Sequence, residues 1–197
     1  GGYGGGVWRK ECLLASGGWS GDTVCEDLDL SIRAQLQGWR FLFLPQVVSP
    51  AELPPQMDGY QQQQARWTKG SLQCVFKFWR QILTSRAHSP LARAYALISM
   101  TGYLAHVLLL ALLLLLPPLL HGGYDFSPLL GVLSLAGVAQ PLLFLLSQQA
   151  LYPDWPRRAL AGLPGLALIA VGLAPGNTWA VWETLVSRQH EFQRTPK

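Results

Sequence analysis

Charge is what this chain has least of. Only 13% of its 197 residues are Asp, Glu, Lys or Arg, and 50% are hydrophobic. A soluble domain carries roughly 25% charged residues, so the composition argues against a protein that is soluble throughout. The same richness in apolar residues excludes a disordered chain, which needs low hydrophobicity and high charge. Cysteine is scarce as well. Cys12, Cys25 and Cys74 are too few and too scattered for a disulfide framework or a zinc site. They fit inert thiols in a reducing compartment. Glycine clusters at residues 1–6 and again at Gly17, Gly18 and Gly21 without a P-loop pattern, which suggests tight turns beside a strand. The chain opens on Gly1 and has no signal-peptide pattern, as expected of a cut through a longer protein.

The charge that is present sits mostly at one end. Residues 1–93 hold ten of the 15 Lys/Arg and seven of the 11 Asp/Glu, within a net charge of +4. Three uncharged runs follow, at residues 94–124, 126–153 and 159–182. A helix needs about 20 apolar residues to cross the hydrocarbon core of a bilayer. The first run contains Val107–Leu116, almost pure leucine, and closes with Pro117-Pro118, and both it and the second are long enough to span. Gly162, Pro164, Gly165, Gly172, Pro175 and Gly176 interrupt the third, which reads as a kinked span or a re-entrant segment. The basic amino-terminal half belongs on the cytosolic side, and the Lys/Arg-free loop at 117–127 belongs outside. Arg188, Arg194 and Lys197 favour a cytosolic tail, which an odd number of spans would contradict. Charged residues of the kind that mark a transport path are missing from the runs.

In the polar half, Asp22 or Thr23 is a candidate N-cap for a helix whose Leu28, Ile32 and Leu36 form one buried stripe. Gly38 is its expected C′ residue. Residues 41–44 form a short apolar strand ended by Pro45, and Val7-Trp8 is a second candidate strand. Glu26, Asp27 and Asp29 fall at the helix start, where acids complement the helix dipole. Asp27-Leu28-Asp29 spells D-x-D, but on a helix those side chains lie about 200° apart and cannot easily grip one ion. One carboxylate aimed into a cleft there would still serve as a general base. Further on, Gln61–Gln64 precede Arg66-Trp67 and a run of apolar residues at helical spacing. Lys69, Lys77, Arg80 and Arg86 are interleaved with it. Such a basic amphipathic helix suits a membrane interface. Basic plus aromatic composition also fits nucleic acid, but the apolar runs directly after it argue against that partner.

These pieces, in this order, resemble the second half of a family 2 glycosyltransferase. The resemblance rests on Gly17-Gly18-Trp19, Glu26-Asp27-Leu28-Asp29-Leu30, Arg33-Ala34 and Gly38-Trp39-Arg40. It continues through Ala51-Glu52-Leu53-Pro54, Gln63-Gln64-Ala65-Arg66-Trp67-Thr68-Lys69-Gly70 and the terminal Phe192-Gln193-Arg194-Thr195-Pro196-Lys197. The chain is similar to the cellulose synthase-like branch, which makes β-linked glucans, mannans or glucomannans at a membrane. The resemblance implies an α/β fold with transmembrane helices. Residues 1–60 would be the carboxy-terminal part of a GT-A (Rossmann-like) catalytic domain, and residues 61–93 amphipathic interface helices. Residues 94–176 would be the membrane region, with spans at about 94–116 and 128–147 and a third segment at about 159–174. Residues 177–197 would be a cytosolic tail.

The family's T-E-D motif falls on Cys25-Glu26-Asp27, which implies Asp27 as catalytic base and Glu26 beside it. Its Q-Q-x-R-W motif falls on Gln63, Gln64, Arg66 and Trp67, implying that the polar groups hold the diphosphate and the indole supports the acceptor. Phe192, Arg194, Thr195 and Lys197 match a gating-loop motif that closes over the nucleotide. The implied reaction is inverting transfer from a nucleotide sugar of UDP-glucose or GDP-mannose type to a growing β-glycan or a lipid acceptor. The implied setting is a multi-pass membrane protein with its catalytic part in the cytosol, at the plasma membrane if bacterial. Two departures stand out. Cys25 replaces the motif's Thr, and residues 1–4 do not match the family's F-N-G-T. The family's amino-terminal half, with its uridine-binding Asp and metal-binding D-x-D, is not in this sequence. Mg2+ or Mn2+ is therefore expected only in the full-length enzyme, with no metal ligands in this chain, and the chain alone is expected to be inactive. The alternative reading is a non-catalytic, membrane-anchored docking or scaffold protein.

Overall fold

A computed structural model describes residues 6–44, 47, 54–123 and 141–186. It divides into two compact units, residues 1–105 with 176–197, and residues 106–175. The first unit opens with α1 (Lys10–Ala15) and α2 (Glu26–Leu36), followed by α3 (Met57–Thr84) and α4 (Pro90–Thr101). The α2 stripe of Leu28, Ile32 and Leu36 packs against Val75, Cys74, Phe78 and Ile82 of α3, and Ala96, Leu97 and Met100 of α4 complete that core. These positions recur every three or four residues, so each helix turns one apolar face inward. Helix α4 starts where Ser89 accepts the Ala92 N–H at 3.2 Å with Pro90 at the first helical position.

Helix α2 ends as expected, with Gly38 at φ +91° in the left-handed region. Its start differs from expectation. The N-cap is Cys25, with no side-chain cap. The Thr23 hydroxyl instead donates to the Cys25 carbonyl at 3.3 Å, and Asp22 pairs with Lys77. Helix α3 begins ten residues before Trp67, at Met57, so the four glutamines are helical. Glutamine is a good helix former, so a run of four continues a helix readily.

No strand is present among the described residues, so the α/β expectation does not find its β component there. Residues 41–44 make no ladder. Leu42 and Phe43 are more than 80% exposed, and Phe41 meets Trp8 edge-on at 5.1 Å. A strand is held by hydrogen bonds to a neighbour, and no described segment offers one.

The final part of α7 (Trp155–Val186) belongs to the first unit, where Lys69 of α3 pairs with Glu183 at 2.6 Å. The second unit takes in α5 (Leu104–His121) from His106 onward, α6 (Pro141–Leu151) and the first part of α7. Within it α6 and α7 approach closely, since a Cβ on Gly162 would lie 2.8 Å from the Phe144 ring. Helix α7 continues through Pro164 and Pro175. By length and composition α5 and α7 are each able to cross a membrane. Most of the span expected at 128–147 lies outside the described residues.

Candidate active site

One stripe of α3 organises the polar region. Arg66, Gly70, Gln73 and Lys77 stand four, three and four residues apart, so they share a helix face. Residues 22–29 lie along that face. At its upper end the Cys25 thiol reaches the Arg66 carbonyl at 3.9 Å. Next, Gly70 lets the two backbones touch. A Cβ there would stand 2.3 Å from the Cys25 Sγ, 2.6 Å from its Cβ and 3.0 Å from its backbone nitrogen. One turn on, the Val24 N–H donates to Gln73 Oε1 at 2.9 Å. At the lower end Lys77 Nζ reaches Asp22 at 2.9 Å and Asp29 at 2.6 Å.

Asp29 is fully buried, and its two oxygens are taken by different cations. Oδ1 accepts from Arg33 Nε at 2.6 Å and Oδ2 from Lys77. The Arg33 guanidinium also donates to the carbonyls of Ser16 and, at 2.8 Å, Gly18, which ties the end of α1 to α2. Burial without partners would be prohibitive for a carboxylate, and two cations satisfy it here. Burial pushes the Cys25 thiol up to about 12, reinforced by the negative charge of Asp27 and opposed by Arg66. The charges of Asp27 and Arg66 thus both bear on the same sulfur.

Glu26 opens α2 exposed to solvent, and Asp27 is half-buried with Oδ1 accepting the Leu28 N–H at 2.8 Å. On α3, Gln63, Arg66 and Trp67 are half-buried, and Gln64 is buried with its carbonyl bound by the Thr68 hydroxyl at 2.9 Å. Cys25, which directly precedes Glu26 and Asp27, and the helical turn of Arg66 therefore come together from 41 residues apart. Phe192, Arg194, Thr195 and Lys197 lie outside the described residues.

Sequence reasoning missed Asp29, Arg33, Gly70, Gln73 and Lys77 as parts of this arrangement. It assigned Asp29 to the helix dipole and Lys77 to a membrane face. The i,i+4 spacing of Asp29 and Arg33 was the available signal. A divalent ion does not fit these residues. Both oxygens of Asp29 are spent on cations, and no cluster of three potential ligands occurs among the described residues.

An acidic helix start thus lies against the helix that carries the Gln/Arg/Trp motif, and α5 and α7 are long and apolar enough to cross a membrane. The family model described as Glycosyl transferase family group 2 matches residues 5–124, and the chain belongs to that family. It is 40% identical over 106 residues to Glucomannan 4-beta-mannosyltransferase 7 of Arabidopsis thaliana, covering 52% of this chain and 19% of that protein. It is 38% identical over 94 residues to Probable glucomannan 4-beta-mannosyltransferase 2 of Oryza sativa subsp. japonica, covering 48% and 16%. To Probable glucomannan 4-beta-mannosyltransferase 3 of the same rice it is 42% identical over 81 residues, covering 41% and 15%. The matches thus span less than a fifth of these curated relatives. No solved structure matches the chain.

Proposed function

We propose that this chain forms the base-bearing and acceptor-facing part of an inverting, membrane-embedded glycosyltransferase. The whole enzyme moves a hexosyl group from a nucleoside-diphosphate sugar to a growing β-glycan. Its catalytic domain is of the α/β GT-A kind and faces the cytosol, and the chain crosses the membrane more than once. The observation that carries this reading is the seating of Cys25, two residues before Asp27, against the Arg66–Gly70 turn of α3.

A sugar hydroxyl is a poor nucleophile at neutral pH. Asp27 takes its proton as the bond to the donor's C1 forms, and a positioned base contributes about 10²–10⁴-fold. Glu26 stands beside it at the helix start. A single displacement at C1 turns the donor's α linkage into β. The leaving diphosphate gains negative charge, which the fixed fork of Arg66 meets, with Gln63 and Gln64 adding donors. Trp67 offers a flat apolar face and one N–H to the acceptor ring. Phe192, Arg194, Thr195 and Lys197 close over the nucleotide. The Mg2+ or Mn2+ that such enzymes use supplies charge stabilisation at the diphosphate, and the acids described above do not hold it. The names of the plant relatives favour a mannosyl donor of GDP-mannose type over UDP-glucose.

The test is Asp27→Asn in the full-length enzyme, assayed in membranes with labelled GDP-mannose and UDP-glucose. Transfer is expected to fall by at least ~100-fold while nucleotide-sugar binding survives. Turnover near wild type refutes the assignment of the base.

A further inference from the structure

We infer that Lys77 and Gln73 of α3 are positioning residues for the proposed base. The inference rests on the reading of Asp27 above and extends it to the α3 groups that hold its segment. Helix α2 begins at Glu26 without a side-chain N-cap, so its own first turn does not fix where the chain enters. The fixing comes from α3. One ammonium group grips Asp22 and Asp29 together, which bracket residues 23–28. Within the bracket Gln73 Oε1 receives the Val24 N–H. The segment carrying Asp27 is therefore pinned at both ends and once between, all from a single rigid helix that also carries Arg66. Base and guanidinium share one frame.

Gln73 supports a positional role by what it costs. It is buried, and its Nε2 has no hydrogen-bond partner. An unpaired buried amide nitrogen is a standing cost, and an apolar side chain of the same length would remove it only by leaving the buried Val24 N–H without its acceptor. What the side chain supplies is one acceptor at the correct place for the Val24 N–H. Lys77 is similar. Asp29 already has Arg33 as a counter-charge, and the second cation adds the link across to α3 and to Asp22.

A displacement of about 1 Å at a reacting group can cost 10²-fold in rate. In the full-length enzyme, Lys77→Met is expected to lower kcat by about 10–100-fold with donor KM within about twofold of wild type. Lys77→Arg, which keeps the charge, is expected to restore most of that loss. Arg93→Ala serves as the stability control. Arg93 donates to the Leu83 and His88 carbonyls between α3 and α4, away from the bracket, and its loss is expected to lower the unfolding midpoint with kcat unchanged. If Lys77→Met does not accumulate in membranes, Gln73→Met carries the same test. A wild-type kcat in Lys77→Met, or an equal fall in kcat in Arg93→Ala at the same loss of stability, overturns the positioning role. An active Asp27→Asn enzyme instead overturns the base reading, so the two failures are told apart.

Discussion

Lys77 shows how much one side chain can settle. Burial works against its charge, but hydrogen bonds to Asp29 and Asp22 outweigh that and hold its pKa above the ordinary 10.5. Asp22 is shifted the other way, below 3.8, by its hydrogen bonds to Lys77 and Ser20. The signs define a window. Asp22's contribution is present above 3.8 and is lost as pH falls through its lowered pKa. Lys77's is present below 10.5 and is lost as pH rises through its raised one. The difference in unfolding midpoint between wild type and Lys77→Met should then be constant between about pH 5 and 9 and shrink below about pH 4. A difference that vanishes by about pH 6 would show that another group holds the segment. None of this pairing was legible from sequence, because Lys77 and Asp29 lie 48 residues apart and periodicity reports only on neighbours along one element. Asp29 with Arg33 was legible in principle, as an i,i+4 pair.

At the level of elements, α3 faces several ways. One stripe holds residues 22–29, another buries Cys74, Phe78 and Ile82, and a third leaves Phe76, Trp79 and Leu83 exposed with Arg80 over the Trp79 ring. The apolar stripes of α2 and α3 and the C′ glycine of α2 were readable because local spacing decides them. The N-cap of α2 was not, because the Asp22 carboxylate pairs with Lys77 and the Thr23 hydroxyl donates to the Cys25 carbonyl instead of accepting a helix N–H. The strand expected at 41–44 shows the opposite limit, since apolar β-formers make no ladder without a neighbour. Gly70 gives the sharpest test of the α3 seat. In an ordinary helix interior Gly→Ala gains about 1 kcal/mol. Here the added Cβ meets Cys25 at its side chain and its backbone nitrogen. Gly70→Ala should therefore destabilise by about 1–3 kcal/mol, and a Cys25→Gly partner should recover part of the loss. Calorimetry or denaturant unfolding decides. A stabilised Gly70→Ala protein would mean that the two segments do not touch.

For the whole molecule, the division into a charged first half and apolar runs was readable because composition alone sets the preferred solvent. The α5 and α7 helices are long and apolar enough to cross a bilayer, and the Lys/Arg-rich residues precede them. The two proposed motifs were readable as sequence, whereas the approach of Cys25 to the Arg66 turn depends on tertiary packing that no spacing encodes. That meeting is the central claim, and a double-mutant cycle on transfer rate tests it most directly. Asp27→Asn and Arg66→Ala should each lower single-turnover transfer by about 10²–10⁴-fold. If the two groups act on one transition state, the double variant should be about as slow as the worse single one, because residues that work as a unit are not additive. Losses that multiply in the double variant would mean that the two residues act independently, and would contradict a shared site.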